Sequence, residues 1–116
     1  MTIEEFITVQ PTSVATLTRD IYDFLRREYP QLKPDLKLSF KAIYFKHNKV
    51  VCSLNPYREY VSLHYMQGVR LDDPAGILEG SGNKLRHLKF SSSEEFTQLR
   101  PQAQEFLDQS LSLLTE

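Results

Sequence analysis

The chain has 116 residues, 41% of them hydrophobic, with a formal net charge of −1 and a single cysteine. This composition is typical of one soluble globular domain over residues 1–116, and it argues against a strongly basic nucleic-acid-binding protein. With one cysteine there is no internal disulfide, and no apolar run reaches the roughly 20 residues that span a bilayer. We therefore expect a cytoplasmic protein without a signal peptide or membrane anchor.

The first predicted element is an amphipathic helix over residues 13–29. Its apolar side chains recur at three- and four-residue steps, which places them on one face. Thr12 is the expected N-cap, and Pro30 and Pro34 are expected to end the helix. The apolar stripe consists of Val14, Leu17, Ile21, Phe24, Leu25 and Tyr29.

Three strands are predicted next. Alternation in residues 37–45 favours one half-buried strand, with Leu38, Phe40, Ala42 and Tyr44 on the same side. Residues 47–49 are a turn signal, so residues 50–54 form the returning strand of a hairpin, which Asn55 and Pro56 end. A third strand over residues 60–66 places Val61, Leu63 and Tyr65 on one face and Ser62, His64 and Met66 on the other.

The segment that follows is rich in turn residues. Asp73 before Pro74 is typical of an N-cap and first helical residue, so residues 74–78 are predicted to form a single helical turn. Gly80 stops that turn, and Gly80 and Gly82 permit positive φ where the chain reverses. A fourth strand is predicted over residues 83–90.

Two C-terminal helices complete the predicted order. Ser92 and Glu95 match a capping box, which starts a short helix over residues 93–99. Pro101 is favoured at the first position of a second helix that extends to about Leu114. Strands joined by short turns pair antiparallel, and helices at both ends of the chain cover one sheet face. The predicted fold class is therefore α+β, a two-layer domain with an antiparallel sheet of about four to five strands packed against N- and C-terminal helices.

Charge is unevenly distributed along the chain. Residues 36–90 hold nine Lys or Arg against four acidic residues, whereas both flanking regions are acidic. Solvated surface with mixed charges explains this pattern, but so does a basic sheet surface that meets an anion.

One long segment resembles a known family. The run L-D-D-P-A-G-I-L-E-G-S-G-N-K-L-R-H-L-K-F at residues 71–90, after the strand Y-V-S-L-H-Y, is similar to the YdhG-like domain family. The resemblance covers about residues 14–114. It implies a small bacterial α+β protein with an antiparallel sheet and no assigned activity, although some relatives are described as frataxin-like iron chaperones.

Several side chains are of types that bind a metal ion. His64, His87, Asp72, Asp73 and Glu79 are of types that bind iron, but none forms a pair at a local ligand spacing. An acidic ridge of the frataxin kind would have to join Glu4 and Glu5 to Asp20 and Asp23. The sequence therefore predicts no metal ligand, and iron is the cofactor only under the frataxin-like alternative.

Catalysis is weakly indicated. Cys52 lies within a predicted strand at a position typical of a small core side chain, whereas a reactive thiolate needs a polar, electropositive setting. No serine nucleophile motif of the G-x-S-x-G kind is present. No catalytic residue is predicted, and a non-enzymatic domain is expected.

Ligand binding is the leading hypothesis. A glycine-rich turn offers backbone N–H groups to an anion, and Arg70, Lys84 and Arg86 add positive charge. Alternation places Arg86 on the opposite side of its strand from His87. The predicted ligand-binding residues are Arg70, Lys84, Arg86 and His64, although a tight turn with basic flanks explains the same segment.

A partner surface is the related possibility. If helices cover only one sheet face, the other face can expose aromatic and sulfur-containing area from Tyr57, Tyr60, Tyr65, Phe45 and Met66. The same residues also suit the edge of a core. The low net charge disfavours nucleic acid. We expect a small anion or a protein partner, no membrane, and a monomer or a homodimer.

Overall fold

The protein folds into two layers, a five-stranded antiparallel sheet and three helices on one of its faces. This computed structural model describes residues 1–115. Each strand pairs with its neighbours in the chain, in the order β1-β2-β3-β4-β5, so the predicted α+β class is confirmed. The helices are α1 (Ile3–Thr8), α2 (Thr12–Glu28) and α3 (Ser93–Leu113); the strands are β1 (Lys33–Lys37), β2 (Ala42–His47), β3 (Lys49–Pro56), β4 (Val61–Tyr65) and β5 (Arg86–Phe90); two short 3-10 helices span Leu38–Phe40 and Gly68–Arg70.

The core lies between the helices and the inner face of the sheet. Tyr65 is fully buried there, and its hydroxyl donates a hydrogen bond of 3.1 Å to the carbonyl of Ala103 in α3. Burial of each large apolar side chain contributes about 1.5–3 kcal/mol. The predicted stripe of α2 supplies Val14, Leu17, Ile21, Phe24 and Leu25, and the predicted inner face of β4 supplies Val61, Leu63 and Tyr65.

Helix α2 is confirmed apart from its cap. Thr12 is the first helical residue, and the N-cap is Pro11, which makes no side-chain capping hydrogen bond. The prediction that Thr12 caps the helix is therefore wrong. The helix ends at Glu28, with Tyr29 as C-cap, because Pro30 disfavours helical conformation in the residue before it.

The prediction of one continuous strand over residues 37–45 is wrong, although its second part, from Ala42, belongs to β2. The chain forms β1, then the 3-10 helix Leu38–Phe40, and then β2. Leu38 and Phe40 are 50% and 65% exposed rather than part of a buried face. Lys41 has a left-handed backbone with φ of 50°, which a continuous strand does not allow.

Helix α1 was not predicted. Thr2 and Glu5 form a reciprocal capping box, in which the Thr2 hydroxyl accepts from the Glu5 N–H and the Glu5 carboxylate accepts from the Thr2 N–H. The helix buries Phe6 and Ile7 against the core. The T-x-x-E pattern at the N-terminus was the available signal.

The hairpin between β2 and β3 is confirmed, and Asn48 turns it with φ of 68°. The turn-rich segment differs from its prediction. The Asp73 carboxylate accepts from the N–H groups of Ile77 and Leu78 at 3.0 and 2.9 Å, but the predicted helical turn is absent, because only Pro74 and Ala75 form a turn and residues 76–78 are irregular. Gly80 has the expected positive φ of 130°, whereas the second glycine with positive φ is Gly76 instead of Gly82. The last strand begins at Arg86, three residues later than predicted.

The two predicted C-terminal helices are one. Ser92 caps α3 by accepting from the Glu95 N–H at 3.1 Å, as predicted. The capping box is incomplete, because the Glu95 carboxylate accepts from the Ser91 N–H instead of the Ser92 N–H. Pro101 lies inside the helix, at an exposed position. Phe96 before the proline and Phe106 and Leu107 after it are all buried on the sheet, so tertiary packing holds the helix together across the missing N–H.

Candidate functional site

The strongest candidate site is the outer side of the sheet, which the three helices do not cover. Residues that oppose each other in antiparallel strands point to the same side, so the pairing identifies this surface. We call it the open sheet face. It consists of Lys33, Asp35 and Lys37 from β1, Ala42, Tyr44 and Lys46 from β2, Ser53 and Asn55 from β3, Ser62 and His64 from β4, and His87 and Lys89 from β5.

One transverse row of this face carries most of its chemistry. Tyr44 is paired with Ser53, Ser53 with His64, and His64 with His87. Glu79, from the segment before β5, forms an isolated bridge with His87 and extends the row beyond the sheet. Phenol, hydroxyl, imidazole and carboxylate groups therefore project side by side from neighbouring strands.

The middle of the face is polar. Ser53 and Ser62 are only 3% and 1% exposed, since they are small side chains between larger neighbours. The Ser53 hydroxyl donates to Asn55 Oδ1 at 2.8 Å, which satisfies its hydrogen on the surface of the sheet. The two serines form a polar floor that lies below their larger neighbours on the face.

Aromatic pairs flank this floor. Phe40 stacks on Tyr44 with ring centroids 6.2 Å apart and an interplanar angle of 14°. Tyr57 and Tyr60 stack at 4.8 Å and 23°, and Lys89 Nζ lies 4.3 Å from the centre of the Tyr60 ring. Exposed aromatic rings beside cations are typical of binding surfaces.

His64 and His87 form the centre of the row. Their ring centroids are 5.1 Å apart and nearly perpendicular. Burial, and secondarily the nearby His87, lowers the pKa of His64 to about 4. His64 is therefore neutral at pH 7, with a ring nitrogen available as an acceptor.

Charge is segregated between the two layers. The open sheet face has four lysines against Asp35 and Glu79. Lys37 and Lys46 both contact Asp35, at 3.1 and 2.8 Å, which holds the pKa of that carboxyl below its usual value. The three helices, in contrast, hold nine acidic residues and four arginines. The predicted basic middle of the chain thus coincides with the sheet.

The four predicted ligand-binding residues lie in different places. His64 is on the open sheet face, whereas Arg86 is paired with Tyr65 and points to the inner side, as its alternation with His87 predicted. Arg86 Nη1 donates to the carbonyls of Gly82 and Leu85 at 2.8 and 2.7 Å, which makes it a brace for its own loop.

Lys84 and Arg70 are the other two. Lys84 is exposed in the same loop as the carbonyls that Arg86 contacts, and its own carbonyl accepts from the Val69 N–H at 3.0 Å. Arg70 lines a cavity of about 220 Å³ with His47 and Lys49 beside the end of α3. Lys84 lies in the loop before β5, and Arg86 is the first residue of that strand, with its side chain on the side of the sheet opposite to His64. A ligand-binding role for the four residues stays a prediction.

The proposed acidic ridge is interrupted by arginines. Glu4 is paired with Arg19, and Asp20 accepts from the Ser93 hydroxyl at 2.7 Å. Asp20 and Asp23 also share a cavity with Arg27 and Arg100. Among residues 1–115, no three His, Cys, Asp or Glu side chains are grouped closely enough to hold a metal ion as they stand.

Cys52 occupies the inner face of β3, opposite Tyr65. It is fully buried, and burial raises the pKa of its thiol to about 12. The prediction of a core position is confirmed, and the thiol lacks the electropositive, accessible setting of a nucleophile.

Comparison of the chain with protein-family models, curated proteins and solved structures gives no match. The resemblance to the YdhG-like family therefore stays a prediction. Within residues 1–115, the helices are too short or too polar for any of them to cross a membrane.

Proposed function

We propose that the protein is a small non-enzymatic binding domain whose open sheet face docks an acidic segment of a protein partner. The observation that carries this proposal is the separation of charge between the layers, with lysines around the sheet face and carboxylates on the helices. An acidic segment complements the first surface and is repelled by the second. Charge thus selects the partner and fixes which side of the molecule it meets.

The shape of the face favours an extended segment over a small molecule. Small-ligand sites are concave and enclose most of the ligand, whereas the cavity of about 220 Å³ beside the end of α3 is lined by none of the residues of the open sheet face. The stacked rings of Tyr57 and Tyr60 at one end and of Phe40 and Tyr44 at the other offer apolar contacts beyond the range of one small anion. Aromatic anchors with a charged surround are the usual composition of a protein interface.

The modest charge of the face favours protein over nucleic acid. Lys37 and Lys46 are already engaged by Asp35, so few cations remain to neutralise a row of phosphates. Binding to nucleic acid depends on several such contacts, each of which releases a counterion. An acidic peptide needs fewer, because its charges are spaced by apolar residues that the aromatic pairs can contact.

The test is an NMR titration with an eight-residue peptide of alternating glutamate and leucine, in the presence of EDTA. We expect the peptide to shift the amide signals of Tyr44, Ser53, His64 and Lys89, and added salt to weaken binding. The double variant Lys33→Glu/Lys89→Glu should weaken binding by about fivefold or more. Arg27→Glu in α2 is the control, because it makes the same change of charge at one site on the helical layer. It should leave peptide binding unchanged.

Two further titrations decide between ligand classes. Oligothymidylate of equal charge and inorganic phosphate are used on the same protein. Stronger binding of the oligonucleotide at this face would replace the protein partner with single-stranded nucleic acid, and equal shifts with phosphate alone would replace it with a small anion. If Arg27→Glu lowers the affinity for the peptide as much as the double variant does, the open sheet face is not the docking surface.

A further inference from the structure

The row Ser53, His64, His87 and Glu79 contains an arrangement that no local sequence spacing reveals. His64 and His87 are 23 positions apart in the chain, yet they oppose each other in β4 and β5. Glu79 opposes His87 on its other side. Two imidazoles and one carboxylate thus project from three adjacent backbone segments on one side of the sheet.

The backbone pairing brings the two imidazoles close. The His87 N–H and C=O both bond to Glu79, at 2.9 Å each, so they point away from β4. His64 and His87 are therefore a non-hydrogen-bonded pair, the kind in which antiparallel strands hold opposite side chains nearest to each other. The ring centroid separation of 5.1 Å agrees with this geometry.

The two imidazoles also have no other role within residues 1–115. Neither His64 nor His87 donates or accepts a side-chain hydrogen bond or forms an ion pair there, and their rings contact each other. Both histidines are half-buried rather than enclosed, so a ligand can reach their ring nitrogens from the open sheet face. Two imidazole rings that contact each other, neither with another side-chain partner, can therefore bind one ligand between them.

We propose that His64 and His87 bind one divalent transition-metal ion of the zinc class on the open sheet face, with the Glu79 carboxylate as the third ligand. Imidazole nitrogen and carboxylate oxygen are ligands that zinc prefers, at about 2.0–2.2 Å. Two nitrogens on one tetrahedral ion lie roughly 3.3 Å apart, which these rings reach by side-chain rotation. In the structure the two imidazoles and the Glu79 carboxylate are too far apart to hold an ion. Binding therefore requires the exposed Glu79 side chain to rotate towards the histidines.

The inference is independent of the proposed partner, although both use the open sheet face. A bound ion would add two positive charges at the centre of the face and strengthen its attraction for a carboxylate. The zinc titration is done without peptide and the peptide titration with EDTA. Failure of one experiment therefore leaves the other result standing.

The test is calorimetric titration of the metal-free protein with Zn²⁺, repeated with Co²⁺ to read ligand geometry from its visible absorption. We expect one ion per chain. His64→Gln or His87→Gln should each weaken binding by about tenfold or more, and Glu79→Gln by a smaller factor. His47→Gln is the matched control, because His47 is exposed at the distant β2–β3 hairpin.

Histidine ring signals in the NMR spectrum of the unmodified protein provide a readout that does not depend on a variant folding. Zn²⁺ should shift the ring signals of His64 and His87 and leave those of His47 in place. Absence of binding, unchanged affinity in His64→Gln, or a loss in His47→Gln equal to that in His87→Gln would overturn the proposal.

Discussion

Substitution of Gly68 by alanine should destabilise the fold strongly, since the backbone of the 3-10 helix Gly68–Arg70 passes directly over β5. A Cβ added at Gly68 would lie 2.4 Å from Arg86 Cβ and 2.5 Å from the Arg86 backbone nitrogen. Carbon atoms in contact prefer about 3.5–4.0 Å, so the two segments would have to separate by about 1 Å. Neither obstacle is the end of a flexible side chain, and the overpacking should cost about 2–3 kcal/mol of unfolding free energy.

Urea unfolding followed by far-ultraviolet circular dichroism measures this effect. With a slope of about 1.5 kcal/mol per molar urea, the midpoint of Gly68→Ala should fall by about 1.3–2 M. Gly82→Ala is the control, because an added Cβ there meets nothing within 4 Å. It should leave the midpoint unchanged or raise it slightly, since alanine restricts the unfolded chain. A loss below about 0.5 kcal/mol in Gly68→Ala, or equal losses in both variants, would refute the close approach.

Three further predictions concern a histidine, the cysteine and the helical proline. The unfolding free energy should fall as the pH drops from 7 to 5, because His64 has a folded pKa of about 4 and the unfolded chain takes up the proton first, near 6.5. This loss should be about 1 kcal/mol smaller in His64→Gln, and an identical pH dependence of the variant and the unmodified protein would contradict it. Cys52 should react with a thiol reagent only on unfolding, because its pKa is raised to about 12 and its side chain is buried, so rapid labelling of the native protein at pH 8 would disprove the assignment. Pro101→Ala should raise the unfolding free energy by about 1–2 kcal/mol in thermal or urea unfolding, because the variant restores an N–H inside α3. An unchanged unfolding free energy would indicate that a helix boundary lies at residue 101.

The elements with strong periodicity and local capping were predictable from the sequence. The apolar stripe of α2, the turn at Asn48 and the cap at Ser92 each depend on a few neighbouring residues, and all three agree with the structure. The strand β1 was missed since Pro34 disfavours an ordinary strand. At the edge of the sheet this proline has only one neighbouring strand, which is where its missing N–H is tolerated.

Long-range packing decided the elements that were mispredicted. Pro101 is a strong signal for a helix boundary, but Phe96 on one side and Phe106 on the other are buried against the same sheet. Their burial outweighs the lost hydrogen bond. In the 37–45 segment, Leu38 and Phe40 continue an alternating pattern, yet the left-handed Lys41 ends the alternation. Nothing in the local pattern separates this turn from a strand.

The centre of the candidate site was only partly predictable. Alternation correctly separated Arg86 from His87, and it placed His64 away from the inner face of β4. The pairing of His64 with His87 depends on the register between β4 and β5, which 20 intervening residues separate. A tight hairpin fixes register through its turn, whereas a long connection leaves it to the packing of the inner face.

The two borders of the sheet limit how the molecule can assemble with copies of itself. Along β1, Pro34 offers no N–H and Lys33 and Lys37 project close by; along β5, the backbone of His87 is already taken by Glu79. Addition of another strand is therefore unfavourable at both edges of the sheet. Growth into fibrils by main-chain hydrogen bonding is suppressed, even though the open sheet face stays uncovered. The molecule can leave that surface accessible to other molecules with little risk of polymerising through its margins.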